Sequence, residues 1–168
     1  MVALTTEVTI SDALISEVGE SGDDDVPEPG LLQSWAAAAY LDKTPAIASL
    51  LVTTSAEIQQ LNKQYRDRDR ATNVLSFPMQ SPEEIDVCLL GDIVLCAAVI
   101  KQEAAQQSKT GKAHWAHMVV HGMLHLQGYD HIDDAEAEAM EALEIDILKQ
   151  LGFDSPYEYS TNKVQINN

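Results

Sequence analysis

The chain has 168 residues, 45% hydrophobic and 22% charged, with 27 acidic against 10 basic side chains and a net charge of −17. That length suits one domain with a buried core, and the charge argues against a general nucleic-acid binder, whose footprint is basic. No apolar run approaches the roughly 18 residues that cross a bilayer, and the opening MVALTTEVTISD lacks the basic and apolar regions of a secretory leader, so a cytoplasmic protein is expected.

LTTEVTI, residues 4–10, alternates at a period of two and reads as a strand ending near Ser11. Residues 17–30, EVGESGDDDVPEPG, hold six acidic residues and no base, and read as an exposed loop. LLQSWAAAAYLDK (31–43) follows as a helix with Leu31, Leu32, Trp35 and Ala39 near one face, and PAIASLLVTT as a second strand. Ser55 is placed to cap the next helix, AEIQQLNKQYR, with Ile58, Leu61 and Tyr65 turned inward. Four of the ten bases crowd into KQYRDRDR, at Lys63, Arg66, Arg68 and Arg70. A local patch of this kind permits an anion site even on an acidic protein.

TNVLSFP is a third strand, stopped by Pro78, and VCLLGDIVLC a fourth. The two cysteines, Cys88 and Cys96, lie in that fourth strand and are expected to be reduced, buried thiols. AAVIKQEAAQQSK is a helix. A histidine-bearing helix then runs from near Lys112 to Gly128, whose missing Cβ suits a left-handed cap. Asp133 and Glu136 have capping-box spacing and open a last amphipathic helix through Leu148 and Leu151. The order β-α-β-α-β-β-α-α-α predicts an α+β fold, a small mixed four-stranded sheet packed with helices. It forms one domain over residues 1–157, followed by a loose tail over 158–168.

All five histidines lie between residues 114 and 131. On a helix, His121 and His125 share a face, and Gly128 can turn the chain so that His131 returns over the helix end. Three neutral imidazoles with an open fourth position are the usual make-up of a catalytic zinc site, so His121, His125 and His131 are the candidate metal ligands on a zincin-like helix. Their H-x3-H-x2-G-x2-H spacing is that of the metzincin peptidases, which carry a glutamate directly after the first histidine. Gly122 stands there instead, so proteolysis by that route is not supported. His114 and His117 fall near the same face; His117 is either a support for the site, a substrate contact or a satisfied buried histidine. Asp130 either orients a ligand imidazole or serves the turn.

Together HWAHMVVHGMLHLQGYDH, LNKQYRDRDRATNVLSFP and LLGDIVLC resemble the YbeY family of metal-dependent endoribonucleases over residues 30–157. The resemblance implies one zinc ion, or another divalent metal, on His121, His125 and His131, and a functional role for Arg66. It also implies cleavage of single-stranded RNA, maturation of the 3′ end of 16S ribosomal RNA, ribosome quality control, and ribosomes and assembly proteins as partners, with neither membrane nor DNA. A metal Lewis acid and a guanidinium fork suit the charge that develops on a phosphodiester in transfer. The attacking oxygen is left open between a water on the metal and the ribose 2′-hydroxyl. His117, one turn from His121, is the candidate auxiliary proton carrier. Ser76 and Phe77 are candidates for the cleft wall, with core packing the alternative for Phe77. Arg68 and Arg70 read as solvated charges that guide RNA. A noncatalytic assembly factor, its metal only fastening the loop at 128–131, is the rival reading.

Overall fold

A computed structural model describes residues 3–18, 26–79 and 87–157. Part of the acidic 17–30 segment and the whole 158–168 tail lie outside the described residues. Among the described residues four strands form one mixed sheet of order β1-β2-β4-β3. β1 (Leu4–Ile10), β2 (Ala46–Thr53) and β4 (Cys88–Cys96) run parallel, and β3 (Val74–Pro78) closes one edge antiparallel to β4. Cys88 and Cys96 sit at opposite ends of β4, too far apart to bridge. The approach of β3 to β4 requires Gly91, at φ +132°, where a Cβ would stand 2.2 Å from the Phe77 carbonyl oxygen.

Among the described residues six helices accompany the sheet: α1 (Asp12–Val18), α2 (Pro29–Ala39), α3 (Ser55–Arg66), α4 (Ala97–Gln106), α5 (Gly111–Leu126) and α6 (Asp134–Gln150). None is long and apolar enough to cross a membrane. The strand residues of alternate parity explain the layers. Leu50, Val52, Ile93 and Leu95 join α2, α5 and α6 in the main core with Trp115, Val119, Met123 and Leu148. On the opposite face Leu75, Val94 and Cys96 pack under Ile58 of α3 in a smaller cluster. α5 is therefore a core helix, buried nearly all round from His114 to Leu126.

The boundaries correct the sequence reading at four points. α1 was not expected: Ser11 ends the strand and also caps a helix, its hydroxyl accepting from the Leu14 N–H at 3.1 Å. The cap of α3 is Thr54, accepting from the Glu57 N–H at 3.2 Å, rather than Ser55. α2 stops at Ala39, and the Gln127 side chain caps its end by donating to the Ala39 carbonyl and accepting from the Leu41 N–H. Tyr65, placed inward by periodicity, is 58% exposed, its ring edge-on to Phe77 at 5.4 Å. It is in the last turn of α3, where the helix has passed the edge of the core.

Candidate metal centre and active site

α5 starts at a side-chain cap, Thr110 accepting from the Ala113 N–H at 3.1 Å, and stops where the glycine pattern predicts. The Gly128 N–H donates to the His125 carbonyl at 3.0 Å and the Tyr129 N–H to the Leu124 carbonyl at 3.1 Å. With Gly128 at φ +98° this is a Schellman ending. It reverses the chain within three residues and brings His131 over the last turn. Ring centroids of His131 then lie 5.3 Å from His125 and 5.9 Å from His121, while His121 and His125 are 4.5 Å apart.

One nitrogen from each of the three histidines lies within 4.8 Å of the others. Nε2 of His121 and Nε2 of His125 face each other at 3.0 Å, close to the separation of about 3.3 Å that two nitrogens at 2.0–2.1 Å on a tetrahedral ion would have. Burial, together with the neighbouring His121 and His131, holds the His125 pKa below the ordinary histidine value, which keeps a lone pair available. The donor set therefore fits a divalent ion of the zinc type.

The three histidines line a cleft of about 590 Å³ together with Arg66, Thr72 and Ser76. Arg66 is fixed there by donating to the Ser76 carbonyl at 2.5 Å and by lying over the Phe77 ring, 5.3 Å from its centroid. Ser76 lines the cleft, and its hydroxyl donates to the Gly122 carbonyl at 3.3 Å. Phe77 points to the other face of the sheet and supports Arg66. Asp130 serves the turn: its Oδ1 accepts from the His131 backbone N–H at 2.7 Å and stands 3.8 Å from the His131 ring nitrogen.

His117 does not line the cleft. It is 7% exposed and sits behind His121, its Nε2 2.5 Å from Oε2 of Glu144. Glu144, 1% exposed, reaches His121 Nδ1 with its other oxygen at 3.3 Å and accepts from the Tyr157 hydroxyl at 2.9 Å. One carboxylate thus ties together His117, His121 and Tyr157, and leaves His121 Nε2 turned to the cleft, the arrangement that orients a metal-binding imidazole. His117, His121 and Glu144 are also close enough to hold an ion themselves, but His117 Nε2 and His121 Nδ1 are both engaged by Glu144, and His117 Nδ1 is buried without a hydrogen-bond partner among the described residues. His114, 2% exposed, is held by Glu103, 2.9 Å from its Nε2, while its Nδ1 is likewise buried without a hydrogen-bond partner.

Sequence reasoning missed Glu144 because it lies in a run of seven acidic residues without a base. The signal was its phase: Met140, Glu144, Ile147 and Leu148 are the buried positions of α6, so this one carboxylate sits on the apolar stripe.

Burial alone would raise the Glu144 carboxyl, but hydrogen bonds from His117 and His121 outweigh it and hold the pKa at about 2. His117 is also pushed down, chiefly by burial, which Glu144 only partly offsets. Both groups bind protons more weakly folded than unfolded, so their stabilisation is complete above about pH 6.5 and is lost as the pH falls. The Glu144 share, on the order of 3 kcal/mol, goes between about pH 4.5 and pH 2. Thermal unfolding of metal-free protein should therefore show Tm dropping steadily below pH 6.5, and a Tm that stays level from pH 7 to pH 3 would contradict this coupling.

Position 122 faces the sheet. A Cβ built on Gly122 would lie 2.9 Å from Cγ2 of Ile93 and 3.2 Å from its Cδ1. Gly122→Ala should cost about 1–2 kcal/mol, overpacking of about 1–3 kcal/mol outweighing the gain of up to about 1 kcal/mol from alanine in a helix. A lower urea midpoint with unchanged m is the expected reading; a raised midpoint would show that Ile93 yields freely.

A family model described as Endoribonuclease YbeY matches residues 31–152. A protein from Alteromonas mediterranea named Endoribonuclease YbeY is 53% identical over 136 residues, covering 80% of this chain and 86% of its own length. Another of that name, from Idiomarina loihiensis, is 50% identical over 140 residues, covering 81% and 86%. The solution structure of a Thermotoga maritima protein shares the fold at a TM-score of 0.53 and 23% identity, over 94% of this chain and 93% of that one. The chain belongs to the YbeY family.

Proposed function

We propose that this protein is a zinc-dependent endoribonuclease that cleaves single-stranded RNA in ribosomal RNA processing, including 3′-end maturation of 16S RNA and ribosome quality control. The observation that carries the reading is the cleft itself, lined both by three convergent imidazoles and by a pinned arginine. His121, His125 and His131 would hold the ion, which supplies Lewis acidity toward a phosphodiester oxygen. Arg66 binds the phosphate oxygens, and its anchoring on Ser76 and Phe77 means that little freedom is lost when it does so. The Ser76 hydroxyl, committed to Gly122, holds the edge strand against α5. His117 works through Glu144, keeping the His121 ring in one orientation, so it is a positioning residue.

End-labelled single-stranded RNA, incubated with zinc-loaded protein, chelated protein and Arg66→Ala, tests the proposal. Cleavage by the first alone is expected. Intact RNA in the presence of folded, zinc-bearing protein would favour the assembly-factor reading, which the net charge of −17 and the exposed polar edge of the sheet at Thr5, Glu7 and Thr9 suit.

A further inference from the structure

Three of the ten basic residues of this strongly acidic chain line one small pocket. Arg66, Arg68, Arg70 and Thr72 surround a cavity of about 280 Å³, and Arg66, Thr72 and Leu75 line the histidine cleft as well. The two hollows share a wall, with Arg66 on the divide.

The loop that carries the arginines is held from below. Asn62, 3% exposed, donates its side-chain amide to the Arg70 carbonyl at 2.9 Å, and its own carbonyl accepts from the Arg68 N–H at 3.2 Å. Asp67, at φ 60°, turns the chain out of α3. Asp69 is engaged by Gln59 at 3.0 Å and Lys63 at 3.8 Å. Neither aspartate lines the pocket, whose lining includes three arginines and no acidic residue. Cations gathered round one hollow repel one another, and a bound anion relieves that repulsion.

We propose that this pocket is a second phosphate subsite, which takes the phosphate of a nucleotide flanking the scissile one. It rests on the nuclease reading above and extends it along the strand. A strand with its scissile phosphodiester between the histidines and Arg66 lays the neighbouring phosphate between Arg68 and Arg70, with Thr72 as a further donor. Guanidinium forks match phosphate oxygens, and a loop already fixed by Asn62 loses little entropy on binding.

Anisotropy of a labelled single-stranded RNA on the zinc-loaded protein, with cleavage read from the same samples, tests the two readings separately. Arg68 and Arg70 are exposed, so the double variant Arg68→Ala/Arg70→Ala keeps the fold. Its Kd should rise about 10- to 100-fold, the scale of losing one or two charge-assisted hydrogen bonds. The salt slope of log K should fall by about 0.7 for each phosphate that the variant no longer neutralises. Replacing single phosphates by uncharged methylphosphonate should reveal one position beside the cleaved bond that weakens wild-type binding by a similar factor and leaves the double variant unaffected. Unchanged affinity and slope in the double variant, or the absence of any such position, overturns the subsite. Wild-type protein that shows this affinity, this slope and one methylphosphonate-sensitive position but cuts nothing keeps the pocket as a phosphate site for single-stranded RNA and overturns the nuclease reading.

Discussion

Arg66→Ala should lower kcat/KM for single-stranded RNA by about 10²–10³-fold, the scale of losing one preorganised donor to a developing oxyanion. The side chain lies at the exposed end of α3, and it touches one edge-strand carbonyl and one aromatic face. Its removal should leave Tm within a few degrees of wild type, so lower activity would report chemistry rather than unfolding. Arg66→Lys keeps the charge but not the fork, and should recover only part of the rate. Equal activity in Arg66→Ala and wild type would remove the arginine from the reaction.

His125→Ala should abolish both metal binding and cleavage. His125 is half-buried at the last turn of α5 and faces both His121 and His131, so its loss leaves two ligands where a catalytic site uses three. Wild-type protein should gain Tm with added zinc, because a ligand that binds only the folded state stabilises it by mass action. The variant should show no such gain. Chelation should silence wild-type protein and zinc should restore it. A zinc-dependent rise in Tm that survives in His125→Ala would place the ion elsewhere, and the His117, His121 and Glu144 group would be the first alternative.

Much of this molecule was legible from local rules. Strands with a period of two, the glycine that ends α5 and the Asp133 cap all act through neighbours in sequence, and each appears where the pattern placed it. The histidine triad was legible because helix geometry and one turn suffice to gather it. Glu144 was not, because its phase on the apolar stripe of α6 marks it for burial but says nothing of its partners, which are 23 and 27 residues away. His117 was placed on the correct side of α5, but its distance from the cleft depended on that same packing. Tyr65 failed for a related reason: periodicity names a face of α3 and says nothing of where the sheet beneath it ends.

The contact between Gly122 and Ile93 also bears on how this cleft could change its chemistry. The histidine pattern alone would suggest that a glutamate at 122 converts an RNA-cutting site into a peptide-cutting one. Any side chain there is aimed at β4 instead, so a grafted carboxylate would enter the apolar layer with no partner. To reach the cleft it would need α5 to roll or lift from the sheet, and α5 is the helix on which the core is built. Two chemistries that look one substitution apart in sequence are separated by the packing of an entire layer.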